Sequence, residues 1–136
     1  MNWHKKTNLI GIILGLFVAA LVLGGCGSSS LKVGWQETSS LSHKKASFNT
    51  FDGIEKYSIC TWKEKTIQGD YSLSITKGSL GLSLEEPGGQ VLWEKNYQED
   101  AEGGFEVSNT ALGCYQLRIS ADEAGGSYEI EWSRTD

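Results

Sequence analysis

Tyr115-Gln116-Leu117-Arg118-Ile119-Ser120 and, a little further on, Tyr128-Glu129-Ile130-Glu131-Trp132-Ser133 place an aromatic or aliphatic side chain at every second position. In extended backbone, successive side chains point to opposite faces, so each run has one apolar and one wet face. A helix would need its apolar residues three and four apart. Tyr71-Ser72-Leu73-Ser74-Ile75-Thr76 and Leu80-Gly81-Leu82-Ser83-Leu84-Glu85 repeat the pattern, and weaker versions lie at 32–36, 47–51, 55–62, 90–95 and 103–108. Half-buried strands of this kind form antiparallel sheet. Gly69-Asp70, Lys77-Gly78, Pro87-Gly88-Gly89, Gly103-Gly104, Leu112-Gly113 and Gly125-Gly126 fall between or beside the runs and read as turns. Eight or nine strands about ten residues apart predict an all-β fold: a single antiparallel β-sandwich, jelly-roll-like or immunoglobulin-like. Its last strand is central enough to bury Trp132.

The chain has 136 residues, enough for one such domain and too few for two large ones. Five Trp, five Tyr and four Phe argue against disorder. The N-terminus has a different character. Residues 1–8 carry Lys5 and Lys6 and no acid, and residues 9–23 (LIGIILGLFVAALVL) are uncharged and apolar. A positive segment followed by an apolar one is the pattern of a secretory signal peptide. Fifteen residues of helix span about 22 Å, short of a hydrocarbon core of about 30 Å.

Leu23-Gly24-Gly25-Cys26 follows directly, and then Gly27-Ser28-Ser29-Ser30. These residues resemble a bacterial lipobox, with an aliphatic residue at −3, small residues at −2 and −1, and Cys at +1. The resemblance implies cleavage before Cys26 and a diacylglyceryl group on its sulfur, a thiol being the side chain that becomes a good nucleophile near neutral pH. Two acyl chains suffice for stable anchoring, so the protein would lie at the cell membrane, facing outside the cytoplasm, with no spanning helix. An uncleaved N-terminal anchor and a plain secreted protein are the alternatives, and both also export the rest of the chain. The organisation is then residues 1–25 as signal peptide, 26–46 as lipidated Cys and polar tether with a possible first strand, and 47–136 as sandwich. Residues 37–45 (ETSSLSHKK) read as a loop or stalk.

Gly78-Ser79-Leu80-Gly81-Leu82, Val91-Leu92-Trp93, Gly113-Cys114-Tyr115-Gln116-Leu117 and the closing Gly126-Ser127-Tyr128-Glu129-Ile130-Glu131-Trp132 extend the likeness. Together with the lipobox they resemble small bacterial cell-surface lipoproteins that carry one β-sandwich of unassigned function. That resemblance implies no catalytic residues.

Cys60 and Cys114 are the cysteines left once Cys26 is lipidated. Tyr57 and Ile59 point inward in one strand and Tyr115 and Leu117 in another, so both thiols fall on the outer face. An exported compartment is oxidising, and a bridge between strands of one sheet is expected; two unpaired thiols are the alternative. Trp62 shares that outward parity and either covers the bridge or stands exposed as a stacking platform.

Charge and composition narrow the function. The 12 Lys and Arg against 17 Asp and Glu give a net charge of −5, with no basic face for a nucleic-acid partner. After residue 25 the one histidine is His43, and no Gly-x-Ser-x-Gly, His-Glu-x-x-His or phosphate-loop pattern appears, so no enzyme is expected. Glu99, Asp100 and Glu102, with Asp122 and Glu123, are weak candidates for a calcium site, lacking the spacing of an EF-hand; no cofactor is otherwise expected. Trp35, Trp62, Trp93 and Tyr97 are weak candidates for ligand-binding aromatics, because sugar C–H faces stack on aromatic rings; sugar recognition would need two or three of them coplanar on one face, and the alternative assigns these rings to the core. Three readings stand: a membrane-anchored, non-catalytic binding module; an accessory subunit of an envelope protein complex; and a carbohydrate-binding or calcium-stabilised sandwich. The partner is then an envelope protein or a glycan.

Overall fold

A computed structural model of the chain describes residues 30–63, 65–108 and 110–136. Leu23, Gly24, Gly25 and Cys26 lie outside the described residues. The elements are all strands: β1 (Leu31–Val33), β2 (Gln36–Ser39), β3 (His43–Thr61), β4 (Thr66–Glu85), β5 (Val91–Tyr97), β6 (Ala101–Ser108) and β7 (Gly113–Thr135). Every pairing is antiparallel. β7 is central between β3 and β4; β1 and β2 line the outer edge of β3, and β5 and β6 that of β4.

Three strands are far longer than the alternating runs suggest, at 19, 20 and 23 residues for β3, β4 and β7. Each reverses its buried parity midway. In β3 the buried positions pass from Ala46 and Phe48 to Phe51, Tyr57 and Ile59; in β4 from Ile67, Tyr71 and Leu73 to Leu80, Leu82 and Leu84. In β7 they pass from Tyr115, Leu117 and Ile119 to Ala124, Tyr128, Ile130 and Trp132. One unpaired residue in a strand produces such a reversal together with a local bend. The β3 and β4 pairings with β7 slip between Phe48 and Gly53 and between Ile75 and Ser79. Gly53, Gly78, Glu123 and Gly126 have positive φ at the same level. At Gly126, with φ of 134°, a Cβ would lie 1.8 Å from the Ser74 carbonyl oxygen, so glycine is required there.

Because the bends lie side by side, the sheet folds over along one crease and its halves pack face to face. The contacts between halves show this. Tyr57 stacks on Trp132 with ring centroids 6.3 Å apart, Trp93 meets Tyr71 at 5.7 Å and Phe105 at 5.4 Å. The Arg134 guanidinium donates to the Cys60 carbonyl, so both layers end together at the side opposite the crease. Between them lies one core that includes Leu80, Leu82, Leu84, Leu117, Ile119, Tyr128 and Ile130. Each such side chain stabilises the fold by roughly 1.5–3 kcal/mol. The molecule is therefore the antiparallel β-sandwich that the alternation predicts, with Trp132 buried on the central strand.

Three details differ from the sequence reading. Seven strands replace eight or nine, because 47–51 with 55–62, 71–76 with 80–85, and 115–120 with 128–133 are the two limbs of single bent strands. Gly69-Asp70, Lys77-Gly78, Gly103-Gly104 and Gly125-Gly126 lie within strands instead of in turns. Residues 37–45 are neither loop nor stalk: β2 pairs with the start of β3, Glu37 opposite Ala46 and Ser39 opposite Lys44, and the first strand, Leu31–Val33, lies within the stretch 26–46. Alternation is weak in β2 because its inward positions, Glu37 and Ser39, are polar groups at the open rim between the layers. There Glu37 meets the Trp35 indole N–H at 3.2 Å and the Tyr57 hydroxyl at 3.4 Å.

Candidate functional site

The end of the sandwich opposite the crease is held by a dense set of bonds. Cys60 and Cys114 are directly opposite in the β3–β7 register, with Cα atoms 3.9 Å apart, and are joined in a disulfide on the outer face. Next to it the Thr61 side chain is buried, and its hydroxyl donates to the Ala111 carbonyl at 2.7 Å. The Ala111 N–H donates to the Tyr115 hydroxyl at 2.8 Å. Thr110 N–H donates to the Lys65 carbonyl at 3.0 Å, and Lys65 N–H to the Thr135 carbonyl at 2.9 Å. Thr61, Lys65, Thr110 and Ala111 are thus tied to the strand ends.

On this fixed base the apolar side chains point outward. Trp62 is 75% exposed and Leu112 is 69% exposed. Pro87, in the β4–β5 turn, abuts Gly113, which brings exposed Val91 and Leu92 to the same end. An indole displayed on a rigid support can stack on a flat apolar face of a partner with little ordering cost.

The other aromatic candidates are placed differently. Trp35 lies between the layers, 5.6 Å from Phe48 and 5.2 Å from Phe51, under the Lys32 ammonium at 4.2 Å. Trp93 is packed on Tyr71 and Phe105, and the Tyr97 hydroxyl is hydrogen-bonded to that of Tyr71. Burial and that bond push the Tyr71 hydroxyl up to about 12. These three rings are half-buried and pack on the flanks of the sandwich. The reason is local: Trp35 joins the edge strands β1 and β2, and Trp93 and Tyr97 face inward on edge strand β5, so all three close the open sides of the sandwich.

The acidic candidates divide into separate places. Asp100 accepts the Ile75 N–H at 2.7 Å and so fastens the chain between β5 and β6 to β4. Glu102 lies on β6, opposite Ser72. Asp122 and Glu123 lie at the crease, around a hollow of about 730 Å³ that Lys77 also lines. Among the described residues no three His, Cys, Asp or Glu are grouped to hold a metal ion. His43 is bonded to Glu129 at 2.8 Å on the outer face. A second hollow, about 540 Å³, sits on the outer face of the layer formed by β4, β6 and β7, where Asp70, Glu106 and Glu131 gather with Gln68 and Ser133. Sequence reasoning missed this acidic face, although the outward parity of Glu129 and Glu131 signals it. It also missed Leu112, an apolar residue beside a turn glycine.

No protein-family model matches the chain. No curated protein matches it by sequence. Solved structures do match. The chain reported under "CBM4 structure and function" aligns with a TM-score of 0.50 and 9% identity over 82% of this chain and 83% of that one. A carbohydrate binding module from Cellvibrio mixtus lichenase 5A, in complex with cellotriose, aligns with a TM-score of 0.45 and 18% identity over 80% of this chain and 92% of that one. TmCBM61 in complex with beta-1,4-galactotriose gives 0.48 and 11% over 74% and 88%. At these identities the likeness is one of fold.

Proposed function

We propose that the protein is an exported lipoprotein, anchored by a diacylglyceryl group on Cys26, and that its sandwich is a non-catalytic binding module whose contact surface is the Trp62 end. The observation that carries the proposal is Trp62 itself, a largely exposed indole next to a strand end pinned by the Cys60–Cys114 disulfide. The exposed disulfide supports an oxidising compartment, in agreement with the lipobox at 23–26. A glycan is the ligand class that suits an exposed indole, whose face can stack on the C–H face of a sugar. Docking to an envelope protein is the second reading, favoured by exposed Leu112 at the same end of the sandwich.

Two measurements test this. Intact mass of the purified protein reports cleavage and acylation at Cys26, and Cys26→Ser is expected to release the chain from membranes. Binding of the purified protein to a glycan array and to isolated cell-wall polysaccharide is expected to be lost in Trp62→Ala. Unchanged binding in that variant overturns the Trp62 surface. Co-purification of one protein partner in mild detergent, with no glycan bound, selects the second reading.

A further inference from the structure

The crease carries its own exposed apolar group. Leu31, Val33 and Ile54 are 55%, 46% and 42% exposed. Leu31 pairs with Asp52 and Val33 with Thr50, so both share the outward face of β3 with Ile54, the next outward residue after Asp52. Opposite partners and diagonal neighbours on one face lie within side-chain reach, so the three aliphatic groups form one short row. Ser30 is fastened beside them, its hydroxyl 3.4 Å from both the N–H and the carbonyl oxygen of Ile54.

Chain length decides what covers this row. From Cys26 to Ser30 the chain advances four residues, at most about 14 Å when fully extended. A leash that short holds Ser30 within about 14 Å of the acylated residue, so the end of the sandwich around Ser30 is the part nearest the lipid headgroups. We infer that the crease end rests on the bilayer, with Leu31, Val33 and Ile54 in the interfacial region. This rests on the proposed lipidation of Cys26. Lys56, exposed on the same face of β3 two residues beyond Ile54, can keep its ammonium among the headgroups while its stem lies on lipid. Asp52, Asp122 and Glu123 at the same end make the contact apolar in origin instead of an attraction to anionic lipid. From Ile54 to Thr61, the residue before Trp62, the β3 backbone advances seven residues, about 23 Å at strand rise. The fold thus spaces the Trp62 surface away from the membrane.

Full-length protein purified from membranes tests this after reconstitution into vesicles of phosphatidylcholine and phosphatidylglycerol. A polarity-sensitive fluorophore is attached through Leu31→Cys, Val33→Cys or Ile54→Cys, with Glu106→Cys and Leu112→Cys as controls. Lipid-borne quenchers are expected to act several-fold more strongly at the first three positions than at the controls. Should one variant fail to fold, the other two decide. Equal quenching at all five positions, with intact mass showing a diacylated Cys26, overturns the seating and leaves the anchor standing. An unmodified Cys26 in that mass spectrum overturns both.

Discussion

The hydroxyls of Tyr57 and Tyr128 lie 2.6 Å apart between the two layers, joining β3 beyond the crease to β7 beyond it on the opposite half. Their surroundings differ. Tyr57 also reaches Glu37 at 3.4 Å, whereas the Tyr128 side chain is buried almost completely and its hydroxyl bonds Tyr57. Tyr128→Phe leaves Tyr57 with an acceptor and should cost about 1 kcal/mol. Tyr57→Phe strands a buried hydroxyl and should cost more, about 1–3 kcal/mol. The double variant should recover part of the loss, since no polar atom is then orphaned. Denaturant midpoints of the four proteins check this; equal costs for the two single variants would refute the asymmetry.

Burial raises three of the interior phenols, Tyr57, Tyr71 and Tyr128, above their ordinary value of 10.0, with Tyr71 pushed up to about 12. The folded state therefore holds them protonated after an unfolded chain would have released the proton. The stability they contribute is complete below pH 10 and is lost as pH rises through the folded values, for Tyr71 between 10.0 and about 12. In an alkaline titration, their tyrosinate absorbance should appear together with loss of the β-sheet circular dichroism. Ionisation of these three near pH 10 with the sheet intact would contradict this.

The disulfide closes a separation of 54 residues between two strands that are already adjacent. In the chain-entropy model a loop of that size is worth about 4 kcal/mol. Cys60→Ser combined with Cys114→Ser, or reduction of the parent, should lower Tm on the order of 20 °C. Two titratable sulfhydryls in denatured, unreduced mature protein would show that the bond does not form.

Parity made the bond legible before any coordinates, because outward Cys60 beside inward Ile59, and outward Cys114 beside inward Tyr115, put both thiols on one face. The same alternation yielded the fold class and the burial of Trp132. It did not yield the bends. A switch from Ile75 to Leu80, or from Ile119 to Tyr128, looks the same in sequence whether a hairpin turn or a bulge separates the two runs. Only the pairing of all three long strands at one level distinguishes them. The site was legible in part: Trp62 was singled out with Trp35, Trp93 and Tyr97, but which ring faces solvent depends on the edge strands. The link from β1 to β2 carries Trp35, and β5 carries Trp93 and Tyr97, over the open flanks, and nothing local in the sequence records that.

Gly126 tests the crease directly. Gly126→Ala forces a Cβ toward the Ser74 carbonyl oxygen and keeps a side chain at φ of 134°, so the loss should be at least about 3 kcal/mol. Gly89, in the β4–β5 turn, also has positive φ, at 93°, yet a Cβ there meets nothing within 4 Å. Gly89→Ala should cost only about 1 kcal/mol. Comparable thermal midpoints for the two variants would mean that the folded-over sheet does not depend on close approach at Gly126.

Trp62 and Trp93 form a matched pair for separating recognition from packing. Trp93 fills the flank between Tyr71 and Phe105, so Trp93→Ala should cost about 3 kcal/mol through lost contacts and the cavity left behind. Trp62 is 75% exposed on a strand end that the Cys60–Cys114 bond and the Thr61–Ala111 hydrogen bond already hold. Trp62→Ala should therefore shift stability by less than about 1 kcal/mol. If stacking on the indole supplies the contact, that variant should lose glycan or partner binding roughly tenfold or more, a penalty above about 1.4 kcal/mol. Trp62→Phe should restore part of the binding, since a smaller ring still offers a face. A stability loss in Trp62→Ala as large as in Trp93→Ala would assign Trp62 to packing and move the recognition surface elsewhere on the sandwich.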